Sequence, residues 1–275
     1  MKESKFIEVA GIRTHYFEAG ISNPIKIILL HSAEYGGAAE FSWEHNFDAL
    51  ATSFHVIAPD HLGFGWTDKL FDFENHSERR IRHIKAFLEA KDIKRAAFVG
   101  SSMSGTLALS VAARPSPDWP ISAVVACSGG GEFPNNEARD ILSSYDGSKE
   151  HMRKIIGAMF HDPSWSNDEI YLERRHAMSL RPGAWESASA ARFKAPFRAQ
   201  AALRERENLS KISVPTLIMA GRWDKLRHAG YEIPLVNSIP RAELHVFENA
   251  GHMGNIECPD EFNGTVLRFL KSNIR

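Results

Sequence analysis

The sequence predicts an α/β fold, in which a mostly parallel, doubly wound sheet carries an inserted helical segment. Six short runs are apolar on both faces, as the central strands of parallel sheets are. Helical patterns alternate with them, which indicates right-handed βαβ units. The apolar runs lie at residues 25–30, 54–58, 96–99, 123–127, 215–220 and 244–247, and the main helical patterns at 41–51, 77–90, 103–113 and 259–272.

Two further segments complete the predicted organisation. Residues 5–9 and 14–18, joined by Ala10 and Gly11, are typical of a hairpin at the edge of the sheet. Residues 133–208 contain no clear strand pattern and are rich in Ala, Arg, Glu and Met, which predicts a helical cap. We therefore expect residues 1–132 and 209–275 to form the core and residues 133–208 to form the cap.

Composition excludes several classes of function. The 275 residues are 43% hydrophobic, which is enough to bury a sizeable core. The net charge is −1, from 33 basic and 34 acidic side chains, with no basic stripe that would indicate a nucleic-acid or membrane-surface partner. Because no apolar run approaches about 18 residues, we expect no membrane span.

The chain has two cysteines, Cys127 and Cys258. Two such distant cysteines do not make a disulfide framework, and neither has the CxxC or CxxH spacing of a metal site. We expect a cytoplasmic protein that needs no metal and no organic cofactor.

A candidate nucleophile lies in residues 99–105 (VGSSMSG), which follow a predicted strand and open a predicted helix. A nucleophile elbow requires this context, with small residues two places before and two places after the serine. Gly100 and Ser104 meet the requirement when Ser102 is the nucleophile, although glycine is usual at the second place. Ser101 and Ser104 satisfy the rule less well. The helix N-terminus also directs free N–H groups toward the site.

An aspartate and a histidine follow two later predicted strands. Asp224 comes after residues 215–220, and His252 lies in a short glycine loop after residues 244–247. Alone, Asp224 could be an ordinary turn residue, and His252 is one of 13 histidines. However, the order serine, aspartate, histidine, each after a different strand, favours a catalytic triad of Ser102, Asp224 and His252.

The predicted roles follow from the chemistry of each side chain. His252 accepts the proton of the weakly nucleophilic Ser102 hydroxyl and later gives it to the leaving group. Asp224 holds the imidazole in the required tautomer. The oxyanion needs two preorganised N–H donors, and we predict those of Met103 and Ala33.

Taken together, these motifs resemble the α/β-hydrolase superfamily over nearly the whole chain. Within it, the sequence is most similar to the meta-cleavage product hydrolases, which cut a carbon–carbon bond in 2-hydroxy-6-oxo-dienoates formed during aromatic degradation. The resemblance implies the α/β-hydrolase fold. The similar segments are residues 11–20 (GIRTHYFEAG), 29–31 (LLH) with the following GG pair and Trp43, 60–65 (DHLGFG), 99–103, and 172–178 (LERRHAM) in the cap.

The resemblance also implies substrate contacts. Arg174 aligns with the arginine that grips the substrate carboxylate in this family, and Arg175 is the alternative one residue further on. Ser42, Ser101 and Met253 are the other implied contacts. The last two stand where the family usually has asparagine and tryptophan, groups that help to hold the dienoate.

Two other positions, Ser32 and Ser104, stand where the family usually has glycine. All four departures leave the predicted triad intact and concern the substrate. Apolar residues of the cap are expected to wall the pocket between cap and core, although packing within the cap explains each of them as well. They are Met159, Phe160, Trp165 and Phe193.

The preferred activity is C–C hydrolysis of a 2-hydroxy-6-oxo-dienoate-like or β-diketone-like keto acid, a small-molecule substrate. The alternative is a carboxylesterase or lactonase that uses the same triad on small esters through an acyl-enzyme. A ligand receptor of the same fold is a third interpretation, against which the intact triad argues. The sequence leaves the oligomeric state open, a homo-oligomer included.

Overall fold

The computed structural model describes residues 3–190 and 208–274, and in this part of the chain eight strands form one sheet. Their order across the sheet is β1-β2-β4-β3-β5-β6-β7-β8. The strands are β1 (Glu3–Val9), β2 (Ile12–Ala19), β3 (Lys26–Leu30), β4 (His55–Pro59), β5 (Ala96–Ser101), β6 (Ile121–Cys127), β7 (Thr216–Gly221) and β8 (Ala242–Phe247).

The sheet is mixed only at one edge. β1 and β2 form the predicted antiparallel hairpin, with Val9 opposite Ile12 and positive φ at Ala10 and Gly11. β2 also runs antiparallel to β4, whereas every neighbouring pair from β4 to β8 is parallel. The predicted parallel core with an edge hairpin is therefore confirmed.

Both faces of the central strands are covered, which explains their continuous apolar runs. In β3, Ile28 and Leu30 belong to one buried cluster, while Ile27 and Leu29 belong to another. Successive side chains of a strand point to opposite faces, so these clusters lie on the two sides of the sheet.

Helices cover these two faces, and they depart from the predictions at three places. The predicted helix 41–51 is two short helices, and the fully buried Asn46 between them donates hydrogen bonds to Asn255 and Asn263. The helices Glu232–Ser238 and Gly254–Glu257 were not predicted. The helices outside the insertion are α1 (Ala39–Ser42), α2 (Phe47–Ala51), α3 (His76–Ala90), α4 (Met103–Ala112), α10 (Glu232–Ser238), α11 (Gly254–Glu257) and α12 (Pro259–Asn273).

The predicted helical insertion follows β6. Side-chain oxygens of Asn136, Ser148 and Asp168 accept backbone N–H groups at the starts of three of its helices. Phe193 lies outside the described residues. The helices of the described part are α5 (Glu137–Ser143), α6 (Lys149–Met159), α7 (Ser164–Asn167), α8 (Glu169–Ser179) and α9 (Ala184–Ala190).

Two kinds of feature are absent from the described residues. No helix there has both the length and the apolar character that crossing a membrane requires. The same residues contain no group of three or more His, Cys, Asp or Glu side chains arranged to hold a metal ion.

Replacing Ile28 with alanine tests the packing between the sheet and its helices. Ile28 is 0% exposed, so the change leaves a cavity and should lower the free energy of unfolding by about 2–5 kcal/mol. Ile170, which is 75% exposed, is the matched control, and its alanine variant should stay within about 0.5 kcal/mol. Equal effects in urea unfolding would contradict the assigned packing.

Candidate active site

The turn between β5 and α4 holds Ser102 in a strained conformation. Its φ is 53° and its ψ is −111°, a region that non-glycine residues rarely adopt. The Ser102 N–H donates to the Cys127 carbonyl of β6 at 2.7 Å. A Cβ at Gly100 would lie 2.5 Å from the Gly105 nitrogen, so the helix approaches the strand closely only because residue 100 is glycine. This is the geometry of the predicted elbow.

Ser102, His252 and Asp224 form a hydrogen-bonded chain. The Ser102 hydroxyl lies 2.7 Å from Nε2 of His252, and Nδ1 of His252 lies 2.7 Å from Oδ2 of Asp224. The other carboxylate oxygen of Asp224 accepts the Leu226 N–H at 2.8 Å. Because a carboxylate accepts the Nδ1 proton, Nε2 is left free to take the serine proton.

The loop that carries His252 is anchored to the helical insertion. The His252 N–H donates to the Met159 carbonyl of α6 at 2.7 Å. Glu257 accepts the Gly251 N–H at 2.7 Å through one oxygen and the His161 N–H at 2.6 Å through the other. Burial raises the pKa of Glu257, although these N–H groups oppose the change. The cap therefore helps to position His252, the predicted catalytic histidine.

Close backbone contact also restrains this loop from the side of β7. A Cβ at Gly221, the last residue of β7, would lie 1.8 Å from the carbonyl oxygen of Gly251. No side chain fits at residue 221 without displacing the residue before His252.

Ser104 replaces the usual glycine of the elbow, and the structure shows what its hydroxyl does. It donates to the His31 carbonyl at 2.5 Å, so Nε2 of His61, 2.7 Å away, must be the donor to Ser104. The backbone N–H of His61 in turn donates to Nε2 of His31 at 2.9 Å. This buried network ties α4 to the start of the loop that contains Ala33.

Both histidines of the network are neutral. Burial lowers the pKa of His31, against the opposing effect of the Asp60 carboxylate. Burial also places the pKa of His61 well below its ordinary value, and the nearby His31 and Arg80 act in the same direction. Neutral imidazoles suit a network in which each ring must offer one acceptor or one donor to a fixed partner.

The two predicted oxyanion donors lie on the elements that the prediction requires. Met103 is the first residue of α4, where a backbone N–H has no acceptor within the helix. Ala33 lies in the loop after β3 and packs against an apolar cluster that includes Met253 and Leu226. Their pairing as an oxyanion hole stays a prediction.

The structure separates the two candidate arginines of α8. Arg174 is 37% exposed, and its guanidinium pairs with Glu44 at 2.9 Å and Glu40 at 3.3 Å. Arg175 is 0% exposed and pairs with Glu34, one residue beyond Ala33, at 2.6 Å. Both arginines therefore link α8 to the segment after β3, but only Arg175 lies on the buried face of α8, next to the loop of Ala33.

The other predicted contacts are all buried. The hydroxyls of Ser32 and Ser42 lie 3.4 Å apart beside the Ala33 loop. Ser101 ends β5, and its hydroxyl has no hydrogen-bond partner among the described residues. Met253 packs with cap residues rather than standing free in a pocket.

The described apolar cap residues form a packed cluster. Phe160 stacks on Trp165 with ring centroids 5.1 Å apart, and Met159 is buried beside them. A cavity of about 400 Å³ also opens in the cap. Asp146 and Glu186 are among the residues that line it, and Ser102, Asp224 and His252 are not. We place no reaction there.

Sequence reasoning missed three contributors, Glu34, Glu257 and His61. Glu34 had a signal, since it is the one charged residue in an otherwise small and aromatic stretch, residues 31–39. Glu257 had none, because its partners lie in distant segments. Helical spacing would have favoured Arg175, which shares a buried face with Tyr171 and Met178.

Most of the chain matches a known protein family. The alpha/beta hydrolase family matches residues 27–265. The chain belongs to the α/β-hydrolase family. A 2-hydroxymuconate semialdehyde hydrolase of Pseudomonas sp. strain CF600 is 34% identical, over 96% of this chain and 92% of that protein. A 2-hydroxy-6-oxo-2,4-heptadienoate hydrolase of Pseudomonas putida strain F1 is 30% identical, over 97% and 95%.

A solved structure agrees with these relatives. The meta-cleavage product hydrolase of Pseudomonas fluorescens IP01 superposes with a TM-score of 0.84 at 29% identity, and the match covers 98% of this chain and 97% of that one. The predicted resemblance to the meta-cleavage product hydrolases is confirmed. Because nearly all of each chain is matched, this hydrolase similarity extends through the helical insertion.

Replacing Glu257 with glutamine tests how the cap positions the catalytic histidine. The amide has one acceptor oxygen, so the N–H of Gly251 or that of His161 loses its partner. We expect kcat to fall about tenfold, because small displacements of a catalytic group are costly. Glu261, an exposed glutamate of α12, is the control, and Glu261→Gln should keep kcat within about twofold. Unchanged kcat in both variants would contradict the role of Glu257.

Proposed function

We propose that this protein is a serine-dependent hydrolase that cleaves a C–C bond beside a carbonyl group, in a 2-hydroxy-6-oxo-dienoate-like or β-diketone-like compound. The observation that carries the proposal is the chain Asp224–His252–Ser102, with both hydrogen bonds at 2.7 Å. The strained elbow supports it, because strain of about 1–3 kcal/mol persists where function requires it.

The reaction begins when the Ser102 hydroxyl adds to the carbonyl carbon and His252 takes the serine proton. The negative charge on the carbonyl oxygen is then stabilised by the N–H groups of Met103 and Ala33. When the C–C bond breaks, its electron pair passes into the neighbouring carbonyl of the leaving fragment, which receives the proton from His252. Water, activated by the same histidine, hydrolyses the remaining ester of Ser102.

The names of the two relatives support C–C cleavage, since one is a hydrolase of 2-hydroxymuconate semialdehyde and the other a hydrolase of 2-hydroxy-6-oxo-2,4-heptadienoate. A carboxylesterase or lactonase activity is the second candidate, and one observation favours it. Both cap arginines, Arg174 and Arg175, are already paired with glutamates of this chain. A substrate without a carboxylate needs neither arginine.

The triad is tested first. Ser102→Ala should reduce turnover by about 10⁴- to 10⁶-fold, and Asp224→Asn by about 10⁴-fold, through the wrong imidazole tautomer. Mass spectrometry should also show a fluorophosphonate attached to Ser102 in the wild type. As controls, Ser101→Ala and Ser104→Ala should both retain the covalent label. Turnover of Ser102→Ala within tenfold of the wild type would overturn the proposal.

The bond that is cleaved is tested with two neutral substrates, benzoylacetone and p-nitrophenyl butyrate. We expect loss of the benzoylacetone enol absorbance in the wild type and none in Ser102→Ala. If the wild type hydrolyses the ester and leaves the diketone intact, the carboxylesterase interpretation takes the place of C–C hydrolysis.

A further inference from the structure

A buried ion pair stands beside the predicted oxyanion loop. The guanidinium of Arg175 lies 2.6 Å from the carboxylate of Glu34, and their side chains are 0% and 3% exposed. Arg175 also donates to the Tyr171 hydroxyl at 3.0 Å. Because Glu34 follows Ala33 directly, the pair joins the oxyanion loop to the cap helix α8.

A serine hydroxyl also contacts the carboxylate. Ser32 hydrogen-bonds Glu34, and the Ser42 hydroxyl lies 3.4 Å from that of Ser32. Beside the candidate nucleophile, the Ser101 hydroxyl is buried with no partner among the described residues. Within the ion pair itself, the two formal charges already cancel.

The ionised state of the pair is stable at neutral pH. Burial pushes the pKa of Glu34 upward, but the charge of Arg175 and the hydrogen bonds from Ser32, Arg175 and the backbone together outweigh burial, and the pKa lies below its ordinary value. The pKa of Arg175 is raised, despite its own burial, by Tyr171 and Glu34. A substrate carboxylate that approached Arg175 would therefore find the guanidinium already paired with Glu34. The negative charge of Glu34 would also repel it.

The neighbouring arginine offers no replacement. Arg174 is committed to Glu44 and Glu40 at the outer side of the same helix. The two arginines of α8 are thus matched by three glutamates from the segment that follows β3.

We propose that Glu34 is a specificity-determining residue that occupies Arg175 and selects against substrates bearing a carboxylate. The inference rests on the proposed function and narrows its substrates to uncharged ones, a β-diketone-like compound for C–C cleavage, or a neutral ester under the second candidate activity. A pair that served only to dock the cap would influence stability and leave substrate preference unchanged.

The test compares two esters with the same leaving group, p-nitrophenyl butyrate and mono-p-nitrophenyl glutarate. The measured quantity is the ratio of kcat/KM for the carboxylated ester to that for the neutral one. The wild-type ratio should lie well below one. Glu34→Gln keeps the shape of the side chain and removes its charge, so the ratio should rise at least tenfold as Arg175 becomes available.

Glu44→Gln is the matched control, because it removes one negative charge beside the adjacent Arg174. Its ratio should stay within about twofold of the wild type. The double variant Glu34→Gln/Arg175→Gln should lose the gain. A general change in the charge of the site would instead raise the ratio in Glu44→Gln as much as in Glu34→Gln and would overturn the inference, as would an unchanged ratio in Glu34→Gln.

A measurement on unaltered Glu34 keeps the inference testable if Glu34→Gln fails to fold. Glutarate and benzoate should inhibit wild-type ester hydrolysis only weakly, and strong competitive inhibition would overturn the inference. Failure of the proposed function is distinguishable, because it appears as turnover that survives Ser102→Ala. Calorimetry of glutarate binding to Ser102→Ala and to Ser102→Ala/Glu34→Gln measures the same preference without any turnover, and equal affinities would overturn it.

Discussion

The site depends on the close contact between β5 and α4 at the elbow. With Gly100 against the backbone of Ser104 and Gly105, the chain reverses sharply enough to hold Ser102 at a positive φ. The parallel sheet holds Ser102 in this strained conformation, because the Ser102 N–H donates a hydrogen bond to the Cys127 carbonyl of the neighbouring strand. The proposed role of Ser102 depends on the half-buried position that this turn gives to its hydroxyl, within reach of His252.

The remaining catalytic residues reach Ser102 because strands of a parallel sheet end along one edge. Asp224 follows β7 and His252 follows β8. The loop of His252 also forms hydrogen bonds with the cap. Met159 accepts its backbone N–H, and Glu257 joins Gly251 to the cap residue His161. The cap therefore contributes to the alignment of the histidine as well as to the enclosure of the site.

The electrostatics of the site are balanced internally. His31 and His61 are neutral and place no charge beside the predicted oxyanion loop. In the Glu34–Arg175 pair, the negative and positive charges cancel each other. Burying an ion pair costs solvation that the attraction between the ions only partly returns, so such a pair is weak evidence for a role in stability. Its place next to Ala33 makes substrate choice the more specific explanation.

The sequence by itself determined the fold class and pointed to the three side chains, Ser102, Asp224 and His252, that the structure brings into one hydrogen-bonded chain. Both depend on local patterns: apolar runs of strand length, small residues around Ser102, and a fixed chain order of serine, aspartate and histidine. Helical spacing in α8 also distinguished the buried Arg175 from the more exposed Arg174, because the position of a residue on a helix face is a local property. Only the tertiary structure decided the partners of Glu34, Glu257 and Ser104. Each of these bonds a group far away in the chain, and the geometry of such a pair exists only once the sheet and the cap have been assembled.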